Sequence, residues 1–308
     1  MPAPPIVYWI GFHAALLLLL AGERVYARRQ SLLGRSPHRT ALAATALWIV
    51  AALSLAACIH HSLGAAASVQ YLAGYAVEES LSIDNLFVFL LLFRLFQIDS
   101  THQPKVLFWG VAGAILLRGL FIAAGLTLLA RFQWITFVFA LILLFAALRL
   151  LSPAETQTTP PSWLLWLTRL HPVSARQDRF LVRENGRSTA TLLLLALVAI
   201  ELADVVFALD SIPAVLSITR QPFLAYTSNI LAVMGLRSLY TLLIAALARL
   251  RFLHYGLAAV LGFAAVKMLT VRWIAIGPVT SLAIILALLA ITVVASLAAP
   301  RSHQDSLS

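Results

Sequence analysis

Nine stretches of this chain are apolar over about the length that crosses a bilayer: residues 5–22, 41–60, 68–93, 106–130, 133–151, 189–210, 222–247, 252–270 and 275–299. A helix needs about 20 apolar residues to span the hydrocarbon core. In lipid every backbone N–H and C=O must be satisfied internally, which helices achieve and open strands do not. A transmembrane barrel would need alternating segments of about 10 residues, and the sequence has none. The pattern predicts an all-α fold, a polytopic membrane helical bundle of about nine spans. Composition agrees: 61% of the 308 residues are apolar and 11% charged, too few polar groups to cover a soluble domain of this size.

The charges outside the spans set an orientation. Arg24, Arg28, Arg29, Arg35 and Arg39 lie in 23–40; Arg94 and Lys105 flank the third connection; Arg149, Arg169, Arg176, Arg179, Arg183 and Arg187 surround the fifth; Arg249, Arg251 and Arg301 follow. These sixteen fall on one side, against Arg131, Arg220, Arg272 and Lys267 on the other. The positive-inside rule then puts the N-terminus outside and the C-terminus in the cytoplasm of a bacterial inner membrane. The net charge of +10 is thus an orientation signal, and no basic-aromatic stretch that would read nucleic acid is present. The first apolar stretch has no Lys or Arg before it and a basic cluster after it, so it reads as a retained helix. Cys58, the single cysteine, has no intrachain partner and reads as a packing residue.

The organisation follows as a first span with its basic loop (1–40), a second span with its external loop (41–67), three spans (68–151), a long cytoplasmic loop (152–188), three more spans (189–270), and a last span with its tail (271–308). In the long loop, SWLLWLTRLH (162–171) reads as a short helix lying on the interface, anchored by Trp163 and Trp166.

Six of the twelve acidic residues lie inside two of the apolar segments: Glu78, Glu79 and Asp84 in the first, and Glu201, Asp204 and Asp210 in the second. A carboxylate at membrane depth costs roughly 2.5 kcal/mol or more, so such groups mark ion paths, proton relays or paired sites. The ligand set is all oxygen, with Asn85 and Ser211 beside the acids and no His or Cys in either segment. Oxygen donors suit hard cations such as Mn²⁺, Mg²⁺ or Ca²⁺. Arg118 and Arg237, within other spans, are the expected supporting counter-charges.

The two segments also align. Glu78-x5-Asp84-Asn85 matches Asp204-x5-Asp210-Ser211; Arg118-Gly-Leu-Phe matches Arg237-Ser-Leu-Tyr; Phe145-Ala-Ala-Leu-Arg149 matches Phe263-Ala-Ala-Val-Lys267. Spans three to five therefore read as repeated in six to eight. Three spans per copy force opposite orientations, an inverted repeat of the transporter type. On a regular helix residues six apart differ by about 240°, so a break between Glu78 and Asp84, and near Pro213 between Asp204 and Asp210, is one way to bring each pair to a common site.

EESLSIDNLFVF and ELADVVFALDSIPAVLSIT, continued through TSNILAVMGLRSLY and GFAAVKML, closely resemble the TerC family of integral membrane proteins. These are associated with tellurium resistance, and their bacterial members include Alx-type manganese exporters. The resemblance covers about residues 40–300. It implies a multi-span bundle and, for several members, Mn²⁺ efflux through the acidic helices. By motif it lands on Glu78, Asp84 and Asn85, then on Glu201, Asp204, Asp210 and Ser211.

The expected function is a transporter rather than an enzyme, exporting a divalent cation, Mn²⁺ first, with proton exchange as a natural coupling. Its partners are the bilayer and the transported cation, with no nucleic acid and no prosthetic group; association of copies is left open. The alternative is a scaffold or membrane-protein assembly factor linked to tellurite resistance. An intramembrane aspartyl protease is disfavoured, since the Gly-x-Gly-Asp motif is missing.

Overall fold

The computed structural model describes residues 5–34, 36–124, 126–151, 173–174, 176–184, 187–247, 252–271, 273–274 and 276–298. Nine helices fall among them, matching the nine apolar stretches: α1 (Ile6–Leu32), α2 (Pro37–Leu63), α3 (Ala65–Leu95), α4 (Gln103–Ala124), α5 (Leu126–Leu151), α6 (Leu192–Ile218), α7 (Pro222–Leu247), α8 (Leu253–Thr270) and α9 (Pro278–Ala298). Six of these, α1, α2, α4, α6, α7 and α9, are long and apolar enough to cross a membrane by length and composition. Pro37 opens α2 where its missing N–H costs nothing, and Gly64, at φ 92°, makes the tight corner into α3.

α3 is the centre of the bundle. It packs against α2, α6, α7, α8 and α9, and every residue from Leu86 to Phe93 is buried. A helix apolar and buried all round is a core helix rather than a lipid-facing one. Around it α3 pairs with α6, α4 with α7, and α5 with α8, while α3–α7 and α4–α6 contacts close the ring. Small side chains let the helices approach: a Cβ at Gly74 would stand 2.9 Å from Ser228 Oγ. α1 rests on the outside, against α2 and, through Trp9, Phe12 and His13, against Phe223 and Tyr226 of α7.

Four expectations are corrected. First, α1 does not end at residue 22 but continues to Leu32. Arg24, Arg28 and Arg29 are therefore helical, in keeping with the good helix propensity of arginine. Second, α3 and α6 are continuous, with Pro213 inside α6. The proline removes one N–H from the ladder, a local loss that a helix embedded among neighbours tolerates. Third, Lys267, counted among the charges of the outer side, lies within α8 as its span predicts, but with its side chain only 13% exposed and 3.5 Å from Asp84. Fourth, Cys58 is exposed, on the wall of an apolar cavity of about 560 Å³ between α1 and α2.

The long loop holds a three-stranded sheet that its sequence does not advertise: β1 (Val173–Ser174), β2 (Leu181–Glu184) and β3 (Arg187–Thr191), in the order β1-β3-β2, with β3 parallel to β1 and antiparallel to β2. β3 runs directly into α6, whose N-cap is Thr191; Leu194 N–H donates to its hydroxyl. The sheet is fastened to the α3–α4 turn: Asp99 N–H donates to Gln177 Oε1 (2.9 Å), Gln177 Nε2 donates to the carbonyl of Gln97 (2.9 Å), and Lys105 Nζ donates to the carbonyl of Asp178 (2.6 Å). The interfacial stretch expected at 162–171 and the C-terminal tail lie outside the described residues.

Close packing links α8 and α9 at Gly256, where an added Cβ would overlap the Thr292 side chain and stand 2.9 Å from its Cβ. Gly256→Ala should destabilise the protein by about 1–3 kcal/mol despite the better helix propensity of alanine. Thermal unfolding in detergent should show the loss, and a second change, Thr292→Ala, should recover most of it.

Candidate functional site

The carboxylates that the sequence groups by motif are sorted by the fold into separate surroundings. Glu78 and Asp204, near the middles of α3 and α6, meet at Arg118 of α4, which is fully buried. Arg118 Nε and Nη2 donate to the two oxygens of Asp204 at 3.2 and 2.8 Å. Its Nη1 donates to Glu78 Oε1 and, at 2.8 Å, to Asn229 Oδ1 on α7. Asn229 Nδ2 returns a bond of 2.9 Å to Glu78 Oε2. One guanidinium thus fixes residues of α3, α6 and α7 around α4, in the two-oxygen fork geometry that arginine offers. Two carboxylates face one cation, so the cluster carries a net negative charge when both are ionised.

Asp84 stands six residues, about 9 Å, further along α3. Its Oδ2 accepts from Ser281 Oγ of α9 at 3.1 Å and lies 3.5 Å from Lys267 Nζ of α8; Lys267 also donates to Ser281 Oγ at 3.1 Å. Between the two clusters is a cavity of about 20 Å³, lined by Glu78, Leu81, Asp84 and Asn85 of α3, Phe207 and Ser211 of α6, and Ala264, Lys267 and Met268 of α8. That volume holds about one water or one small ion. The continuous helix suffices to line it with both acids, because Asp84 reaches the flank of the face that Glu78, Leu81 and Asn85 form. Buried Asn85 Oδ1 and Ser211 Oγ have no hydrogen-bond partner among the described residues, an arrangement rare for buried polar atoms. Asp210 is one residue before Ser211 in α6; its side chain lies outside the described residues.

The remaining acids are elsewhere. Glu79 faces α7, bonded to Tyr75 on its own helix and 3.9 Å from where a Cβ at Gly235 would be. Glu201 packs against Gly113 of α4 so closely that a Cβ there would collide with its carboxylate. Neither lines the small cavity. Among the described residues no group of three His, Cys, Asp or Glu side chains converges as a metal site.

Arg237 does not join the acids of α3 and α6. Its partner is Glu23 of α1, which also accepts from Trp48 Nε1 of α2 at 3.1 Å. Sequence reasoning missed Glu23 because it falls one residue past the first predicted span. It missed the role of Lys267 because a lysine near a span end reads as a loop charge. Ser281 carries no signal in the sequence.

A multi-helix membrane protein whose interior is organised by buried ion pairs is the class that this fold and site define. Residues 63–304 match the integral membrane protein TerC family, and the chain belongs to it. It is similar to the uncharacterized membrane protein STKORF319 of Myxococcus xanthus, 37% identical over 306 residues, 97% of this chain and 95% of that one. It is 33% identical over 301 residues to the protein of Escherichia coli K12 named "Putative membrane-bound redox modulator Alx", 92% of each chain. It is 39% identical over 236 residues to the thylakoid membrane protein TERC of Arabidopsis thaliana, 75% of this chain and 62% of that one. No solved structure matches it.

Arg118 is the test of the cluster. Arg118→Met removes the only cation bonded to Glu78 and Asp204 among the described residues and should cost about 3–5 kcal/mol, the scale for breaking a buried pair. Adding Glu78→Gln and Asp204→Asn should restore part of the lost stability, measured as the thermal transition of the purified protein.

Proposed function

We propose that the protein exports a hard divalent cation, Mn²⁺ first, from the cytoplasm. The observation that carries this reading is the cavity of about 20 Å³ at membrane depth, bounded by the carboxylates of Glu78 and Asp84 and by buried amide and hydroxyl oxygens of Asn85 and Ser211 that lack partners among the described residues. Carboxylate and neutral oxygen donors are the set that Mn²⁺, Mg²⁺ and Ca²⁺ prefer. Lys267 is a tethered cation on Asp84. An arriving divalent ion competes with its ammonium for the same carboxylate, which keeps binding reversible. The excess of acids over Arg118 and Lys267 supplies groups that can exchange protons as the metal leaves.

The pairing of α3 with α6, α4 with α7 and α5 with α8 supports an inverted repeat, in which the copies rock about the shared site to alternate access. The charge bias supports a cytoplasmic C-terminus in a bacterial inner membrane. The redox role in the name of the Alx relatives does not transfer as dithiol chemistry within one chain, because this sequence has one cysteine.

A second reading, a scaffold for membrane-protein assembly, is favoured by the sheet fastened to the α3–α4 turn, which offers a surface outside the bundle. Deleting much of 155–185 separates the two: transport should partly survive, and scaffolding should fail.

Asp84→Asn and Asp210→Asn, each expressed in cells lacking other Mn²⁺ efflux, should raise cellular manganese to the level of cells without the protein, with normal amounts of protein in the membrane. Full efflux by both variants rejects the site. Lys267→Gln should lower the cytoplasmic-side Mn²⁺ concentration needed for half-saturation several-fold, measured as uptake into inside-out vesicles.

A further inference from the structure

We infer that the basic face of the small sheet is a docking site for the phosphate headgroup of an anionic phospholipid. A groove of about 450 Å³ is lined there by Arg176, Arg179, Leu181, Val182, Arg183 and Ser188. Three arginines and a serine therefore line one recess. Their described counter-charge is Asp178, bonded by Arg176 at 3.3 Å and 3.9 Å from Arg179. Arg176, 62% exposed, spends its Nε and Nη2 donors on the two oxygens of Asp178, whereas Arg179, 79% exposed, presents its donors to a ligand. Guanidinium is the side chain best matched to phosphate, which it holds through two parallel N–H donors.

The position of the groove selects a lipid. Gln177 and Asp178, between two of the arginines, bond the residues just past the end of α3 and the start of α4. Ser188 is four residues before Leu192, the first residue of α6, at most about 13 Å away along a strand. The recess thus opens at the level of the helix ends, where headgroups lie. Leu181, 56% exposed in the same lining, sets an apolar surface among the cations. A free anion gains nothing from it, whereas the glycerol and upper acyl carbons of a phospholipid do. Juxtamembrane arginines are attracted to anionic lipid by about five-fold in binding each. None of these residues belongs to the cation site, so the inference stands apart from the proposed transport.

The test uses the purified full-length protein with equimolar dioleoylphosphatidylglycerol and dioleoylphosphatidylcholine, scored by native mass spectrometry of retained lipid. The wild-type chain should retain the anionic lipid in preference. Arg179→Ala with Arg183→Ala should reduce that retention about 25-fold with an unchanged thermal transition, and Arg28→Ala with Arg29→Ala, on exposed positions of α1 that form no groove with them, should reduce it far less. Equal retention of the two lipids by the wild type overturns the proposal, as does an equal loss in the α1 variant or no loss in the sheet variant. Displacement of the lipid by millimolar inorganic phosphate at constant ionic strength would assign the groove to a soluble anion and overturn the lipid assignment.

Discussion

The Arg118 guanidinium is the interaction on which the bundle depends. It is buried, it bonds Glu78, Asp204 and Asn229, and by doing so it sets α3, α4, α6 and α7 in register at membrane depth. Lipid offers no hydrophobic drive for helix association, so packing of small residues and polar bonds between helices decide which faces meet. A four-helix contact made by one side chain is a strong specifier under those terms, because every alternative docking strands a charge in hydrocarbon. The small cavity, the position of Asp84 and the run of buried residues on α3 all inherit their geometry from it.

Much of this is written in the sequence. Length and apolarity give nine helices with boundaries within a few residues over most of the chain, since hydrocarbon thickness is a physical ruler. The buried acids are visible for the same reason: Glu78 or Asp204 in an apolar run has no cheap explanation. Pairing is less visible. Arg118 and Arg237 look alike in text and in the repeat, yet one serves the acids of α3 and α6 and the other serves α1. That choice depends on which helix lies beside which, a fact of three dimensions. The pairing of Lys267 with Asp84 is hidden for the same reason, since a span-end lysine reads equally well as an edge charge. The unbroken α3 and α6 show the converse: a break argued from angular spacing is unnecessary when a neighbouring helix supplies the other wall.

The sheet joins two parts of the chain that read as unrelated. It hydrogen-bonds the α3–α4 turn and continues without a linker into α6 through the Thr191 cap. The helices that bear Glu78, Asp84 and Asp204 are therefore connected through bonds at their ends as well as through Arg118 at their middles. A displacement of the sheet would be felt by both acidic helices together.

The match to the family begins at residue 63, which leaves α1 and α2 outside it, yet Glu23 of α1 and Trp48 of α2 complete the bonding around Arg237. Arg237 and Asp204 line one small recess between α4, α6 and α7. Glu23 is thus a sink that holds a second guanidinium back from Asp204. Remove the outer helix, and Arg237 loses its described carboxylate partner. The peripheral segment of the chain is thus part of the charge balance of its interior, supplied by residues that lie before the matched segment.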